Sequence, residues 1–591
     1  MIGRGWLLTA IALVGGFALG LLLASGRGDA VSSDPVSVSP APGSISAAAA
    51  TQISLRGLAR ERLGDVEVSG SKTGAHSGRL AAHSDGDGAS FLPDEPFEPG
   101  EEVTVRTSLT VLGARDGDYR FTVARPAAKP RPREENRPGG QVQRFRSRPD
   151  IEPPAITITA RSREAAPGYV FLAPKRGNGL DGPMIVDSRG KLVWAKEVAE
   201  PLQAANFQPQ RYEGRPVLTW WEGGTNTGVG YGEGVVLDQS YREIARVRAG
   251  NGYRAGLHEL ELTERGTALL IVYAFDRADL SGVGGPEDGA IVDGVVQEVE
   301  VDSGLVRFEW HSRDHIDLEE SKWEVPDEPG RAYDFVHLNS VDVDDDDGDL
   351  LVSARHSWAV YKVDRETGSV RWRLGGTDSD FPLEGAARFA FQHDARRRGD
   401  GRLMLFDNAA GPPQTRKRSR ALVLDLDVAE RTATAVRQYE HPDDLLSDSQ
   451  GNAQELGNGN VFIGWGSEPA FSEFSADGRL LFDGRLAKGN DNYRAFRSPW
   501  TGRPTTRPRA AVATLTGDRR RVVASWNGAT EVARWEVLAG PHPERLRRVG
   551  SAAERGFETP MTIRSGPRVV AVRALDASGG RLGVSEPVEL P

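Results

Sequence analysis

Residues 348–372 read GDLLVSARHSWAVYKVDRETGSVRW and contain two short apolar stretches, each of which follows a glycine. The first stretch is Gly348–Ser353, and the second, Gly368–Trp372, ends on an aromatic residue. A glycine turn followed by a short strand is typical of the units from which β-propeller blades are built. This part of the chain therefore predicts an antiparallel, all-β fold.

The same unit recurs along the chain at intervals of about 50 to 60 residues, with one longer interval of about 80. A fixed period of this length indicates a repeat architecture such as a propeller. With about 40 to 57 residues in a blade, residues 155–500 are predicted to form a six-bladed β-propeller. The copies begin at Gly214, Gly266, Gly348, Gly401 and Gly459, and an aromatic-ended form begins at Gly190, Gly304 and Gly368.

The segments on either side of the repeat have a different composition. Residues 51–126 and 510–591 alternate apolar and polar residues between turns, which predicts an N-terminal β-sandwich and a C-terminal sandwich of the fibronectin or immunoglobulin type. Residues 31–50 are rich in Ser, Pro and Ala, and residues 127–154 are rich in Pro, Arg and Glu. Both of these segments are predicted to be linkers.

An apolar run from Trp6 to Ala24 follows Arg4 near the N-terminus. The run is long for the apolar part of a signal peptide and just long enough to cross a bilayer. Residues 1–30 are therefore expected to be a hydrophobic helix that acts as a signal-anchor or as a cleaved signal peptide. Both alternatives place the rest of the chain outside the cytoplasm, anchored to the cell membrane or secreted.

Composition excludes several classes of function. The formal net charge of −11 argues against a nucleic-acid partner, which would require a basic surface. The chain has no cysteine, so disulfides, thiolate catalysis and cysteine-based zinc sites are all excluded. The acidic run DVDDDDGD at residues 342–349 lacks the spacing of a calcium loop and is expected to be a hairpin turn. No metal or cofactor is expected.

Basic side chains occur at comparable strand ends of successive repeat units. His337 lies in FVHLNSV, Arg355 in SARH and His393 in FQHDAR. An imidazole can act as a nucleophile or as a general acid or base, and a guanidinium can hold an anion with two hydrogen bonds. The set therefore predicts a site that transfers an anionic group. His356 follows Arg355 directly, so in a strand it is expected to face away from this site.

The motifs around these residues occur in a characteristic order: HLNSVD at 337–342, RH at 355–356, YKVDRETG at 361–368, WRLGG at 372–376, QHDA at 392–395 and LFDN at 405–408. In this order they resemble the bacterial arylsulfotransferases. Members of that family are six-bladed propellers that move a sulfuryl group between phenols without a nucleotide sulfate donor. The resemblance covers roughly residues 165–500 and is most specific between residues 335 and 410.

The resemblance implies a role for each matching residue. The sulfuryl group would pass through a transient sulfohistidine, and the position that matches the family's nucleophile is His393. His337 and Arg355 match a second histidine and the arginine that binds the sulfate, and His258 in GLHEL matches a further histidine. His337 and His258 would help to protonate the leaving phenol. The predicted substrate-binding residues are Asn339, Asn408 and Trp358.

The function expected from the resemblance is ping-pong transfer of a sulfuryl group from a phenolic sulfate ester to a phenolic acceptor. The alternative is a non-catalytic propeller that binds a ligand of the cell envelope, with the two sandwiches as adhesion modules. Turnover of an aryl sulfate distinguishes these two hypotheses. The aromatic residues expected to line the substrate pocket are Trp220, Trp221, Trp358, Phe406 and Trp465.

Overall fold

The structure, a computed structural model, describes residues 35–114, 117–132, 139–226, 228–328, 330–517, 519–564, 566 and 568–590. Strands form nearly all the regular structure in these residues, which confirms the predicted all-β class. The described helices are short 3-10 turns at Arg60–Arg62, Ser281–Val283, Ser312–Asp314, Leu318–Glu320 and Gly385–Ala387. No helix in the described ranges has the length and apolar character needed to cross a membrane. The predicted helix within residues 1–30 lies outside these ranges.

The N-terminal region consists of two four-stranded antiparallel sheets that share one apolar core. The sheets have the orders β1–β2–β6–β5 and β4–β3–β7–β8. Their strands are β1 (Ser37–Ser39), β2 (Ile53–Arg56), β3 (Val66–Gly70), β4 (Gly74–His76), β5 (Gly78–Ala82), β6 (Gly88–Pro93), β7 (Glu102–Thr107) and β8 (Tyr119–Thr122).

This region begins earlier in the chain than the sequence predicts. Val36 and Ala47 are both fully buried, and each forms a parallel bridge, Val36 to Val111 and Ala47 to Val123. Residues 35–50 therefore pack into the core of the N-terminal region and do not form a linker. Small Ser, Pro and Ala residues fit between closely spaced strands here, and their composition alone does not distinguish that role from a flexible segment.

The central region runs from residue 156 to residue 498 and contains the repeat units. Its strands are β9 (Ile156–Arg161), β10 (Tyr169–Leu172), β11 (Pro174–Lys175), β12 (Met184–Val186), β13 (Leu192–Ala195), β14 (Gln203–Tyr212), β15 (Arg215–Asn226), β16 (Val229–Leu237), β17 (Glu243–Val247), β18 (Ala255–Leu262), β19 (Thr267–Ala278), β20 (Gly289–Glu300), β21 (Val306–His311), β22 (Leu338–Val343), β23 (Leu350–Ala354), β24 (Ala359–Val363), β25 (Val370–Gly375), β26 (His393–Arg397), β27 (Leu403–Asp407), β28 (Arg420–Asp427), β29 (Thr432–Glu440), β30 (Asn452–Glu455), β31 (Val461–Gly464), β32 (Ala470–Phe474), β33 (Leu480–Leu486), β34 (Asp491–Asn492) and β35 (Phe496–Ser498).

Consecutive strands pair in these sheets, and the two ends of the region pair with each other. Sheets β22–β25 and β26–β29 are simple antiparallel meanders, and strands β14 to β21 form one larger sheet. At the start of the region, β9 joins β33 and β10 joins β35, so strands from the last units complete sheets that begin with the first. This exchange closes the central region into a ring of sheets and holds its ends together.

The C-terminal region again consists of two packed sheets, with the orders β36–β37–β40 and β39–β38–β41–β42, and with β43 paired to β41. The strands are β36 (Arg509–Thr514), β37 (Arg519–Ser525), β38 (Arg534–Gly540), β39 (Arg547–Ala553), β40 (Glu558–Arg564), β41 (Val569–Leu575), β42 (Arg581–Val584) and β43 (Val588–Glu589).

The N-terminal and C-terminal regions each cover an edge strand of the central region. Ser39 Oγ accepts a hydrogen bond from the backbone N–H of Glu309 at 3.1 Å, and Ser54 Oγ donates to the carbonyl of Arg307 at 2.9 Å, both on the outer strand β21. On the outer strand β13, the side chain of Asn527 pairs with the backbone N–H and C=O of Ala195. Unpaired strand edges promote aggregation, and these contacts cover two of them.

The segment predicted as a spacer, residues 127–154, is also packed against the central region where it is described. The backbone N–H of Ala127 donates to the carbonyl of Phe275 at 2.7 Å, and Pro126 bridges to Asp276. Residues 126–132, which we call the strap, continue from there past Asn226. Beyond this bridge the strap forms no regular strand, and its prolines supply no backbone donor that could extend the pairing.

Candidate active site

A cavity of about 800 Å³ lies where strand ends of the central sheets meet. The strap forms part of its wall through Ala128, Lys129 and Pro130. A cavity of this volume is large enough for a substrate with one or two aromatic rings. The candidate catalytic residues that line it are His258, His337, Arg355 and His393, together with His356.

Sheet geometry explains why these side chains converge. His337 precedes β22, Arg355 follows β23, His393 begins β26 and His258 lies within β18. Strands β18, β22 and β26 come from neighbouring units and pack side by side. Residues at corresponding ends of such strands therefore meet, although they are far apart in the chain. The imidazole centroids of His258 and His337 are 5.0 Å apart.

The His393 ring is buried and held in one orientation by Asn408. The Asn408 amide nitrogen donates to the carbonyls of Ser447 at 3.1 Å and Gln450 at 3.0 Å, so its oxygen faces the ring. This oxygen lies 2.7 Å from His393 Nδ1, which must therefore carry the proton. The lone pair is left on Nε2, which accepts the backbone N–H of Gln450 at 3.2 Å.

His258 has the same tautomer but a different partner. The hydroxyl of Tyr273 donates to the carbonyl of Leu338, so its oxygen accepts the proton on His258 Nδ1 at 3.0 Å. Burial raises the pKa of Tyr273 well above its usual value, and the partner therefore stays a neutral phenol. The lone pair on His258 Nε2 remains available.

A carboxylate holds His337. Its Nδ1 lies 2.5 Å from Oδ2 of Asp334, a largely buried residue at the start of the turn before β22. His337 has a φ of +49°, in the left-handed region, which turns its ring back onto Asp334. Gly228 approaches this ring so closely that a Cβ there would lie 3.3 Å from His337 Cε1. The ring is thus fixed by a charge on one side and by backbone on another.

Arg355 is held by stacking and by one backbone contact. Its guanidinium carbon lies 4.9 Å from the Phe391 ring centre and 5.8 Å from that of Trp323. Its Nη2 donates to the backbone carbonyl of Asp448 at 3.0 Å, and its Nε has no hydrogen-bond partner in the described residues. Burial lowers the pKa of Arg355 to about 10, so the group stays charged at neutral pH and can bind an anion.

Electrostatics keep two of the three histidines neutral. Burial, then the neighbouring His337 and His393, lower the pKa of His258 well below its usual value. Burial, then the charge of Arg355, do the same for the pKa of His393. A neutral imidazole has a free lone pair, so these shifts favour nucleophilic or acceptor roles.

His356 faces the cavity, although strand alternation predicted that it would face away. It lines the cavity, its ring centre lies 4.9 Å from that of His337, and it stacks at 4.5 Å on Trp323. Strand β23 ends at Ala354, so Arg355 and His356 belong to a turn in which successive side chains do not alternate. Burial lowers the pKa of His356 to about 3, and its Nδ1 donates to the backbone carbonyl of Asp334.

The three residues predicted to bind substrate lie behind the wall of the cavity. Asn408 contacts His393, as described above. The Asn339 side chain donates to the carbonyl of Gln392 at 2.7 Å, and the backbone carbonyl of Asn339 accepts hydrogen bonds from Tyr493 and Arg494. Trp358 packs against Phe391 with ring centres 5.0 Å apart. These contacts position catalytic groups and leave no direct contact with a substrate in the cavity.

The aromatic lining also differs from the sequence prediction. Trp220, Trp221, Phe406 and Trp465 are fully buried in the sheet cores. Alternation in strands does not reveal which of two buried faces a large side chain occupies. The aromatic residues that do line the cavity are Phe275, Trp323 and Tyr493. Trp323 and Asp334 come from an irregular segment with no repeat signal, so sequence periodicity gave no reason to select them.

One group of side chains has the spacing of a metal site. The ligand atoms of Asp334, His337 and His356 all lie within 4.8 Å of one another. Both imidazoles, however, direct Nδ1 at oxygens of Asp334 at 2.5 Å, which is hydrogen-bond geometry. A metal ion would need those same lone pairs turned towards itself. This arrangement therefore favours hydrogen bonds between these groups over a bound metal ion.

Comparison with known proteins gives one informative match: residues 208–487 fit the model of a family described as Arylsulfotransferase (ASST). No curated protein sequence matches the chain. Solved structures that resemble it include a protein of unknown function from Bacteroides caccae, at 12% identity over 56% of this chain and 98% of that chain, with a TM-score of 0.34.

Two others are virginiamycin B lyase from Staphylococcus aureus and the GH43 protein BlXynB from Bacillus licheniformis. The lyase has 7% identity over 62% of this chain and 94% of that chain, with a TM-score of 0.27. The GH43 protein has 9% identity over 65% of this chain and 89% of that chain, with a TM-score of 0.26. Scores this low carry no argument about this protein.

Proposed function

We propose that this protein transfers a sulfuryl group from a phenolic sulfate ester to a phenolic acceptor by a ping-pong mechanism, since residues 208–487 match the model of the arylsulfotransferase family. The family supports aryl sulfotransfer in general. The proposal adds the order of events, the covalent intermediate and the residues that carry out each step. It requires no nucleotide sulfate donor and no metal.

In the first half-reaction, Nε2 of His393 attacks the sulfur of the donor and the phenol leaves. The lone pair on Nε2 supports this role, as does the neutral state of the buried ring. Nδ1 of His393 stays protonated and donates to Asn408. The ring of the sulfohistidine is therefore a positively charged imidazolium, next to the negative charge of the sulfonate. The hydrogen bond from Gln450 N–H to Nε2 must break as the new N–S bond forms.

Charge on the transferring group is stabilised by Arg355. Sulfuryl transfer resembles phosphoryl transfer, in which positioning and cationic groups provide most of the catalysis. The stacked guanidinium is planar, stays charged and can bind two sulfate oxygens at once. In the second half-reaction, an acceptor phenol attacks the sulfohistidine from the same cavity. His337 and His258 serve both steps at the phenol oxygen.

The observation that carries this proposal is the convergence of three oriented imidazoles and one stacked guanidinium on a single cavity. The Nδ1 atoms of His258, His337 and His393 are bound by Tyr273, Asp334 and Asn408. All three rings line the same cavity, and the hydrogen bond that Nε2 of His393 accepts comes from a backbone N–H of the cavity wall, that of Gln450.

The test is release of 4-nitrophenol from 4-nitrophenyl sulfate, with phenol as the acceptor. We expect turnover that depends on phenol in the natural protein and is lost in His393→Ala. Mass spectrometry of enzyme mixed with donor alone should detect one added sulfuryl group, absent in the variant. The matched control is His542→Ala, which changes an exposed histidine of the C-terminal region and should leave turnover unchanged.

Three results would overturn parts of the proposal. Turnover that survives in His393→Ala would assign the nucleophile to another residue. Tight binding of aryl sulfates without turnover, for a panel of donors, would favour the ligand-binding propeller instead. A sulfuryl group found on His393 but not passed to phenols would show that the acceptor class is wrong.

Six blades are also part of this proposal. The large sheet β14–β21 is joined between β16 and β18 by a single residue pair, Gly232 with Ala255, so it divides into two four-stranded units. Together with the sheets built on β10, β22, β26 and β30, this gives six units of similar size. An experimental structure would test the count directly.

An extracytoplasmic location, membrane-anchored or secreted, completes the proposal. It rests on the apolar run from Trp6 to Ala24 after Arg4. We expect a reporter that is active only outside the cytoplasm to be active when fused after residue 591 and inactive when residues 1–30 are deleted. Comparing membrane and soluble fractions then separates an anchor from a cleaved signal.

A further inference from the structure

Asp334 is the one carboxylate in the described residues that both lines the cavity and binds a candidate catalytic histidine. Its Oδ2 lies 2.5 Å from His337 Nδ1, and its side chain is only 18% exposed. Burial acts to raise the pKa of Asp334, but the charge and hydrogen bond of His337 outweigh it and hold the pKa below its usual range. The group is therefore an anion held against the imidazole.

The partners of the three imidazoles differ in charge. His393 donates its Nδ1 proton to the amide of Asn408, and His258 donates its own to the phenol of Tyr273. Neither partner carries a charge. Only His337 donates to a carboxylate, which stabilises a positive imidazolium as a neutral partner cannot.

This difference decides which histidine can move a proton. A neutral imidazole with its proton on Nδ1 can accept at Nε2 but has no proton there to give. His258 is in that state, because burial and the nearby imidazoles hold its pKa far below the usual range. His337 can take a second proton on Nε2, since Asp334 balances the charge. The two histidines therefore have unequal roles.

We propose that Asp334 is a positioning residue that selects His337 as the proton carrier of the transfer, in an Asp334–His337 dyad, while His258 acts only as a hydrogen-bond acceptor. This inference rests on the proposed function. It adds a residue that neither the sequence motifs nor the family match assigned, and it divides a role that the resemblance gave to two histidines.

The proton balance of both half-reactions follows. As the S–O bond breaks and the N–S bond forms at His393 Nε2, protonated His337 gives its Nε2 proton to the leaving phenolate oxygen. Neutral His337 and the sulfohistidine remain. In the second half-reaction the acceptor phenol gives its proton to His337 Nε2 as its oxygen attacks sulfur and the N–S bond breaks. His337 is then protonated again, and His393 is restored.

The experiment compares donors whose phenols leave with different ease. A poor leaving group such as phenol needs the proton far more than 4-nitrophenol does. We expect Asp334→Asn to lower kcat/KM for phenyl sulfate about a hundredfold, within the range of general acid catalysis. For 4-nitrophenyl sulfate the loss should stay below about tenfold. A merely structural defect would lower both values equally.

The matched control is Asp483→Asn, because Asp483 is also buried and contacts a histidine, His441 at 3.1 Å, outside the cavity. This control should not change the ratio between the two donors. Equal losses for both donors in Asp334→Asn, or no loss, would overturn the dyad while leaving sulfuryl transfer intact. Failure of the natural protein to turn over either donor would instead contradict the proposed function.

A second comparison distinguishes an effect through His337 from a folding defect in the Asp334→Asn variant. If Asp334 acts through His337, then Asp334→Asn should change the donor ratio in the natural background and not in a His337→Gln background. Additive effects of the two changes would overturn the dyad. Bound metal that is lost on Asp334→Asn, with activity restored by adding that metal, would also overturn it, because Asp334 would then be a ligand.

Discussion

Hydrogen bonds to the backbone fix the donor and acceptor roles of the residues that orient the catalytic histidines. Asn408 donates twice to backbone carbonyls, so only its oxygen can meet His393. The Tyr273 hydroxyl donates its proton to the carbonyl of Leu338, so its oxygen can only accept a hydrogen bond from His258. Backbone carbonyls that bind Asn408 and Tyr273 therefore fix the tautomers of His393 and His258. In both rings the proton lies on Nδ1, so Nε2 carries the lone pair.

Arg355 offers a direct test at this scale. Arg355→Lys keeps the positive charge but loses the planar fork and the stacking on Phe391 and Trp323. We expect kcat to fall about 10²–10³-fold, the cost of losing one group that stabilises charge in the transition state. Steady-state kinetics with 4-nitrophenyl sulfate measures this effect.

An exposed arginine provides the control for this change. Arg402 pairs with Asp400 at 3.2 Å, in a surface turn near β27. Arg402→Lys should leave kcat unchanged. If Arg355→Lys were as active as the natural protein, a point charge would suffice, and bidentate binding of the sulfuryl group would be wrong.

Strand ends of the repeat predicted His337, Arg355 and His393, and the family resemblance added His258. Asn408 was predicted as a substrate-binding residue, and no sequence signal pointed to Tyr273 or Asp334 as partners that orient the other rings. Asp334 precedes β22 in an irregular turn, and the φ of +49° at His337 brings the two together. Backbone conformation of that kind leaves no periodic signal, so the orienting residues were available only from the structure.

At the scale of elements, irregular segments form much of the cavity wall. Residues 321–328 and 330–334, between the 3-10 helix Leu318–Glu320 and β22, include Trp323, whose ring lies parallel to His356 at an angle of 7°. The strap forms another part of the wall with Lys129. Sheets provide the catalytic groups, whereas these two segments present the surfaces that an aromatic substrate would meet.

Trp323 is the natural place to test this division. Trp323→Leu removes an aromatic surface near Arg355, and one aromatic contact contributes about 0.5–1.5 kcal/mol. We expect KM for 4-nitrophenyl sulfate to rise about two- to tenfold, with little change in kcat. Trp323→Phe, the conservative control, should retain most of the affinity. A fall in kcat without a change in KM would mean that Trp323 positions Arg355 and does not bind substrate.

The strand pattern of the central region was predictable for a physical reason. Each unit must bury both faces of its sheet against its neighbours, so apolar residues recur with the same period as the units. The strap and residues 35–50 obey no such requirement. Both are rich in small residues and proline, and such segments resemble flexible linkers whether or not they pack against a folded surface.

At the scale of the whole molecule, the contact between the N-terminal sandwich and β21 contains a buried histidine. His83 lies 3.0 Å from Ser90 Oγ and 3.1 Å from Arg56 Nη1. Burial, then the charge of Arg56, lower its pKa to about 4. In the unfolded chain the pKa is about 6.5. Between these values the unfolded state binds the proton that the folded state rejects, so stability falls as pH falls.

This linkage predicts a measurable pH effect. From pH 7.5 to pH 5, His83 should reduce the free energy of unfolding by about 2 kcal/mol. His83→Gln removes the titrating group, so the difference in stability between these two pH values should shrink by that amount in urea unfolding. An identical pH dependence in both proteins would mean that the pKa of His83 is the same in the folded and unfolded states.

The C-terminal region binds the central region through an asparagine side chain that pairs with an edge strand as another strand would. Asn527 Oδ1 accepts the backbone N–H of Ala195 at 3.0 Å, and Nδ2 donates to its carbonyl at 2.9 Å. Gly528 adds a backbone bond to Val193 at 2.9 Å, and its carbonyl accepts from Tyr241 at 2.8 Å. Because β13 is an outer strand, this pairing satisfies an edge that would otherwise face solvent.

Asn527→Ala should therefore loosen this contact without affecting the cavity, which lies in the central region. Leaving the backbone groups of Ala195 unpaired costs about 1–3 kcal/mol. We expect faster protease cleavage in residues 503–508, which connect the two regions, and unchanged sulfuryl transfer. Asn458→Ala, in an exposed turn, is the control and should not change the cleavage rate. If transfer fell together with resistance to cleavage, the C-terminal sandwich would be supporting the active site, and its role would extend beyond covering an edge strand.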